Sequence, residues 1–589
     1  MARTEKKKDA VIVGLGWTGA ILGMELATEG LEVVALERGK DRATVPDFQY
    51  PNIVDELRYG VRLELMQKPS RSTLTIRRTL TEQALPYRQL GSFLPGDGVG
   101  GAGVHWNGQN WRPMENEFRL RSYVRENWGE GIIPAGMDLY DYPLTYAELE
   151  PFFDRFEYMA GISGKAGNIR GQIIPGGNPF ESPRSRDYPM PALPQTLDAT
   201  MFAEAARAMG YHPFPRPAAN ASRSYVNEYG MQLGPCNFCG FCERYGCLNY
   251  SKSSPQTCIL DALRRKPNFS YRTEAEVMRV ELAPDGKTAT GVTYFDEATQ
   301  EEVFQPADLV ILCAYQFHNV HLMLLSGIGR PYDPASGEGV TGRNYAYQVL
   351  GGTSLFFRER NFNPFVGAGS NGMCIDDFAI SQIDFGREGF IGGSYISAGI
   401  TNGQPIRSMS LPPETPKWGS SWKSGVKDWY GRSMSIGSHG SNMSYRDTYL
   451  DLDPTYKDRF GRPLLRMTFD WKPNDIRMTQ FMKSKIEPIA ESMAPDFQTS
   501  SYMTHASRYD VRPYQTTHNV GGAIMGADPS LSAVNRYLQT WDKHNVFVMG
   551  ASAFPQNIQY NPTGLVGALA YWAAHAIRTE YLSNPRPLV

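Results

Sequence analysis

Apolar positions along the chain fall into two kinds of run. Ala10-Val-Ile-Val13, Val33-Val-Ala-Leu36, Ala307 to Ala314 and Asn545 to Gly550 are nearly continuous apolar stretches bounded by turn residues or charges, the pattern of strands buried on both faces. Thr273 to Glu281 and Lys287 to Phe295 alternate instead, which predicts a hairpin, and strand-like pieces recur near Val349 to Phe357 and Leu464 to Trp471. Helical spacing is found near Thr145 to Ala160, Thr196 to Met209, Leu322 to Gly329 and Asn474 to Met493. Leu565 to Ile577 is apolar throughout apart from His575, too short for a membrane span, and reads as a buried helix. Strands and helices interleave at both ends of the chain, whereas residues 346 to 509 mix aromatic, glycine and polar stretches. The expectation is a mixed α/β protein: a nucleotide-type domain interwoven with a mainly antiparallel sheet that carries helices on one side.

Composition narrows the class. With 589 residues, 41% hydrophobic and 20% charged, the chain has ample material for a large core and no disorder signature. A net charge of -2 gives no reason to expect nucleic acid or an anionic membrane as partner. Met1 to Asp9 is basic and runs directly into the first strand, so no signal peptide is expected. Seven cysteines do not make a disulfide framework at this length, but Cys236, Cys239, Cys242 and Cys247 fall within twelve residues. Short spacings of this kind let several thiolates converge on one inorganic centre, so an iron-sulfur site is expected, with zinc, disulfides or plain thiols as the alternatives. Cys258, Cys313 and Cys374 stand in apolar settings and read as core residues.

Three further stretches carry chemistry. Gly14-x-Gly16-x-x-Gly19 lies between the first strand and helix, and Glu37 ends the second strand. Gly14 makes the tight turn, Gly16 admits a pyrophosphate, Gly19 lets helix pack on strand, and Glu37 suits a ribose hydroxyl. Residues 91 to 113 hold Gly100, Gly101, His105, Trp106 and Asn107 in a glycine-dense loop suited to wrapping an isoalloxazine ring. His105 is a candidate ring contact, covalent flavin attachment point or structural hydrogen-bond donor. Val277, Gly550 and Ala551 are taken as further cofactor contacts. Finally, His518 sits between hydroxyl side chains and Gly521-Gly522, and Asn561-Pro562-Thr563 opens the last apolar helix. That pairing reads as a proton acceptor, an amide that holds a substrate oxygen, and a positive helix end aimed at the flavin.

The ordered set Gly14, Gly16, Gly19, Glu37, Gly100-Gly101, His518 and Asn561-Pro562-Thr563 resembles the glucose-methanol-choline (GMC) oxidoreductases over nearly the whole chain. The cysteine run, His105-Trp106, Leu90 to Gly96 and Gly161 to Asn168 look closer to the flavoprotein large subunits of the bacterial gluconate 2-dehydrogenase group, relatives of membrane-bound fructose and glucose dehydrogenases. The resemblance implies a GMC fold, with an FAD-binding domain over 1–150, 225–345 and 510–589 and a substrate or cap domain over 151–224 and 346–509. It implies FAD, catalysis by His518 and Asn561, with Pro562 and Thr563 at the cofactor, and oxidation of a sugar or sugar acid, D-gluconate to 2-keto-D-gluconate first among the candidates. Sugar 3-dehydrogenases, oxidases of the same fold and a non-catalytic flavo-iron-sulfur carrier are the other readings. It also implies a cysteine-bound cluster, three-iron favoured over four-iron, using three or all four thiols. Two partners follow from it: a small subunit with a twin-arginine signal and a multihaem cytochrome c. They would place the chain at the periplasmic face of the inner membrane, joined to the membrane only through a partner.

Overall fold

Ala10 to Val13 are all buried at the centre of β1 (Lys8–Val13), which opens the fold in this computed structural model. Residues 3–48, 65–66, 68, 70–87, 93–399, 410–514 and 516–588 are described; Leu90 to Ser92 of the glycine-dense stretch and Gln515 lie outside them. After β1 come α1 (Trp17–Thr28) and β2 (Val33–Leu36), then α2 (Tyr146–Ala160), α3 (Leu197–Ala208) and β3 (Phe214–Pro215). Next are β4 (Phe269–Arg272), β5 (Ala275–Leu282), β6 (Ala289–Asp296), β7 (Glu301–Leu312) and α4 (Gln316–Ser326). The later part adds β8 (Val349–Phe356), β9 (Met373–Ile375), β10 (Ser394–Ala398) and β11 (Ser433–Gly440). It closes with α5 (Pro473–Ser492), β12 (Phe497–Ser501), β13 (Val546–Val548) and α6 (Thr563–Ala576).

The nucleotide-type sheet turns on β7. Its second half pairs in parallel with β1 on one edge and with β13 on the other, and β2 and β4 extend the parallel order beyond β1. Its first half pairs antiparallel with β6, which pairs with β5. The apolar run predicts only the second half. Glu301, Glu302 and Gln305 interrupt the apolar pattern where the hairpin begins, so the strand starts six residues before Ala307. The helix predicted from Leu322 also starts earlier, at Gln316, and Gly327 ends it in a left-handed conformation at φ 65°.

The second sheet has the order β3-β9-β10-β11-β8-β12, and every pairing in it is antiparallel. Alternation gives it two distinct faces. Ile396 and Ala398 of β10 and Met434 and Ile436 of β11 pack on Phe202 of α3 and on Met482, Ile486 and Ile489 of α5. The opposite parity, Tyr395 and His439, therefore points away from the helices. A four-stranded sheet joins Leu74–Arg77 and Leu85–Tyr87 to Tyr449–Lys457 and Pro463–Thr468, which binds early and late chain segments together. Within the described residues no helix is long and apolar enough to cross a membrane.

Candidate active site

A cavity of about 570 Å³ is walled by the start of α1, the loop through His105, β5, the start of α4, and the segments around His518, Gly550 and Asn561. The three fingerprint glycines divide their work as the motif requires. Gly14 has φ 94°, and a Cβ there would stand 2.6 Å from the Cys313 carbonyl oxygen. A Cβ on Gly19 would lie 2.1 Å from the Gly14 oxygen, so this glycine sets the contact of α1 with the turn. Gly16 precedes α1 and faces open space, its added Cβ meeting nothing nearer than 3.8 Å. The free amides at that helix end therefore face a space suited to a phosphate. Glu37 accepts from Leu15 N–H at 3.0 Å and Gly39 N–H at 2.9 Å, and burial raises its pKa.

Gly101, His105, Trp106, Asn107, Val277, Gly550, Ala551, Pro562 and Thr563 all border the cavity. Gly100 does not: it turns at φ 90° against Gln256, whose Oε1 would stand 2.3 Å from a Cβ. It shapes the loop and contributes no wall. His105 is enclosed, its pKa is lowered to about 3 by burial, and its Nε2 has no hydrogen-bond partner. A buried polar atom left unmatched at a cavity wall is costly, and a bound flavin would meet it. Together with the open faces of Gly16 and Gly550, this makes the residues present fit FAD.

His518 and Asn561 stand side by side at the cavity wall. Asn561 Nδ2 lies 3.1 Å from His518 Nε2, although the two residues are 43 positions apart. Gly521 and Gly522 make this approach possible, since a Cβ on Gly521 would stand 1.8 Å from the Asn344 oxygen. Two further side chains complete the arrangement. His518 Nδ1 is hydrogen-bonded to Gln348 Oε1, and Asn561 Oδ1 lies 2.9 Å from the Tyr395 hydroxyl. Tyr395 is also 2.9 Å from Gln109 Oε1, which already receives Trp111 Nε1–H at 3.2 Å. The one tyrosine proton is shared between these two amide oxygens, while the Asn561 amide is assigned to His518 Nε2 and the His518 proton to Nδ1. Burial lowers the His518 pKa to about 3, so its ring is neutral and Nε2, at the cavity wall, is an acceptor that the Asn561 amide engages in this arrangement. Tyr514, in the same stretch, donates to the Gln348 carbonyl at 2.6 Å and accepts from Leu350 N–H at 2.7 Å, which fixes the segment carrying Gln348.

The cysteine run lies against the same cavity. Arg244 N–H donates to the His105 carbonyl at 2.6 Å, and Glu243 and Arg244 border the cavity. Buried Lys252 donates from Nζ to the carbonyls of Trp106 at 2.8 Å and of Cys242 and Tyr245 at 2.7 Å. Cys236, Cys239, Cys242 and Cys247 are all free thiols, with Cys242 buried. Burial raises the pKa of Cys236 above the usual thiol range and that of Cys242 to about 11. Among the described residues no three His, Cys, Asp or Glu side chains stand in metal-ligand arrangement. The donor chemistry suits iron-sulfur ligation, but the thiols as placed do not converge on one point.

Known proteins with this sequence pattern agree with the geometry. Sequence models described as GMC oxidoreductase match residues 146–350 and 444–570. The gluconate 2-dehydrogenase flavoprotein of Pantoea cypripedii is 53% identical over 593 residues, covering 100% of this chain and 96% of that protein. The fructose dehydrogenase large subunit of Gluconobacter japonicus is 24% identical over 605 residues, covering 98% and 99%. Pyridoxine 4-oxidase from Mesorbium loti shares the fold with a TM-score of 0.57 at 16% identity, over 96% of this chain and 98% of that one. With the fingerprint, the flavin-facing loop and the His518–Asn561 pair in one cavity, the chain belongs to the GMC oxidoreductase family, as an FAD-dependent enzyme that oxidises CH–OH groups.

Proposed function

We propose that this protein is the flavoprotein subunit of a dehydrogenase that oxidises a secondary hydroxyl of a sugar acid, with gluconate at C2 as the substrate. The carrying observation is the neutral His518 Nε2 at 3.1 Å from Asn561 Nδ2 on the cavity wall. Bound FAD supplies the hydride acceptor. With the substrate hydroxyl taking the place of the Asn561 amide on it, His518 Nε2 takes the proton of the reacting hydroxyl while Gln348 keeps the ring in the required tautomer and the Asn561 amide, held beside Tyr395, turns to the substrate oxygen. The likeness to a gluconate 2-dehydrogenase flavoprotein supports the choice of substrate.

The test is an anaerobic screen of flavin bleaching with gluconate, 2-ketogluconate, glucose, fructose and glucosides, followed by identification of the oxidised carbon. Bleaching by gluconate with a 2-keto product is the expected result; a 3-keto product or bleaching by neutral sugars alone would overturn it.

The cysteine run, on this reading, would hold an iron-sulfur cluster, three-iron rather than four-iron, through Cys236, Cys239, Cys242 and Cys247 or three of them, and that group would supply single-electron transfer towards a multihaem cytochrome c subunit. The bonds that tie this run to the His105 and Trp106 carbonyls support that role, because they hold the thiols near the flavin wall. A small subunit with a twin-arginine signal would carry the folded chain to the periplasmic face of the inner membrane. Iron and acid-labile sulfide are expected in the purified protein. Cys239→Ser should leave bleaching by substrate intact and slow cytochrome reduction; equal slowing of both steps would count against the relay.

A further inference from the structure

Two side chains that the proton transfer does not use stand close to the catalytic pair, one on the same sheet face and one behind it. His439 on β11 is the register partner of Tyr395 on β10, and the two rings stack with centroids 5.0 Å apart and planes 24° apart. The His439 ring borders the cavity with its centroid 6.3 Å from that of His518, and its Nδ1 is enclosed without a hydrogen-bond partner. A proton on Nδ1 would bury an unmatched donor, so the proton belongs on Nε2. Behind these rings lies Arg216, 7% exposed, just after β3. Its charge acts on both Tyr395 and His439, its Nε is enclosed without a partner, and no carboxylate among the described residues pairs with it. A buried guanidinium without a counter-anion is costly, and the usual remedy is a neighbouring carboxylate.

A 2-hydroxy acid brings that carboxylate with it. Its carboxyl carbon is bonded to the carbinol carbon, about 1.5 Å away. Once the hydroxyl is held by His518 and Asn561, the carboxylate must lie beside them, and His439 is the donor-bearing ring on that side. We infer that His439, backed by the charge of Arg216, recognises the substrate carboxylate and makes the site selective for 2-hydroxy acids over neutral polyols. This rests on the sugar-acid reading above. His439 is the contact residue; Arg216, which does not border the cavity, supplies charge from behind it.

The experiment is anaerobic stopped-flow flavin reduction by gluconate, with sorbitol as the neutral six-carbon comparator, used as substrate or as competitor. FAD-loaded wild type is compared with His439→Phe, which keeps a ring on Tyr395, His439→Gln, which keeps a donor, and Arg216→Met. His439→Phe should raise the gluconate half-saturation constant about 10- to 100-fold with little change in limiting rate. Sorbitol constants should stay unchanged, and His439→Gln should recover most of the loss. Arg216→Met should weaken gluconate in the same direction, which keeps the test open if His439→Phe fails to hold FAD. If wild type prefers gluconate and all three variants keep that preference, this inference falls alone. If wild type is reduced by sorbitol and not by gluconate, the sugar-acid reading falls and takes the inference with it.

Discussion

At His518 the two ring nitrogens have different partners, and this decides which of them can act as a base. Gln348 Oε1 can only accept, so Nδ1 carries the proton and Nε2 is the acceptor, shared between Asn561 and whatever hydroxyl enters the cavity. Burial adds the second condition by holding the pKa at about 3, which leaves the base unprotonated at any working pH. His518→Ala should therefore retain FAD and slow flavin reduction by substrate about 10²- to 10⁴-fold, as read by anaerobic stopped-flow. Reduction at the wild-type rate would remove His518 from the reaction. His518 and Asn561 were legible because each lies in a local pattern, a Gly-Gly turn and an Asn-Pro-Thr helix start. Gln348, Tyr395 and His439 were not, because their roles come from strand register. Tyr395 pairs with His439 across two strands 44 positions apart, and no short motif encodes that neighbour. The one available signal is the alternation Met434, Ile436, Ser438 against His439, which puts a polar ring on the face away from the helices.

Among the elements, α1 joins fingerprint to fold most tightly. Gly19 faces the backbone oxygen of Gly14, which cannot move without opening the turn, whereas a Cβ on Gly23 would meet only the side-chain ends of Leu263 and Phe269 at 3.1 Å. Gly19→Ala should destabilise the protein by about 1–3 kcal/mol or more and weaken FAD retention. Gly23→Ala should cost less, since side chains can give way. Thermal unfolding of the two variants with the FAD absorbance followed in parallel checks the order, and a Gly23→Ala loss larger than that of Gly19→Ala would contradict it. The elements themselves were readable wherever one physical rule dominates. β2 and the Ala10 to Val13 part of β1 are apolar and buried throughout and α6 is mostly so, and α5 and β8 fall within a residue or two of their expected limits. The rule fails where one element serves two environments, as in β7, whose polar first half belongs to a hairpin and whose apolar second half belongs to the parallel sheet.

For the whole molecule, the burial that keeps these histidines neutral also makes the fold sensitive to acid. Burial lowers the pKa of His105, His439 and His518 to about 3 and of His321 to about 4, and takes His318 well below its ordinary value. The unfolded chain protonates these five rings near pH 6.5, while the folded chain does not, so each contributes stability that is lost as pH falls below that point. Glu37, Glu117, Glu181, Asp376 and Asp475 act in the opposite sense. Burial raises all five, Glu117, Asp376 and Asp475 to about 7, so the folded protein takes up their protons where the unfolded chain still has them ionised. Between pH 6 and 5 each of these rings steepens the acid loss and each of these carboxyls offsets it, so removing one carboxyl should expose the contribution of the rings. Urea unfolding at pH 7, 6 and 5 measures this directly. Asp376→Asn removes one of the five opposing groups while keeping an acceptor for the Tyr560 hydroxyl at 2.6 Å, so its acid loss should be steeper than that of the wild type. An acid loss in Asp376→Asn no steeper than that of the wild type would mean that Asp376 does not hold its proton in the folded protein above the range of the unfolded chain.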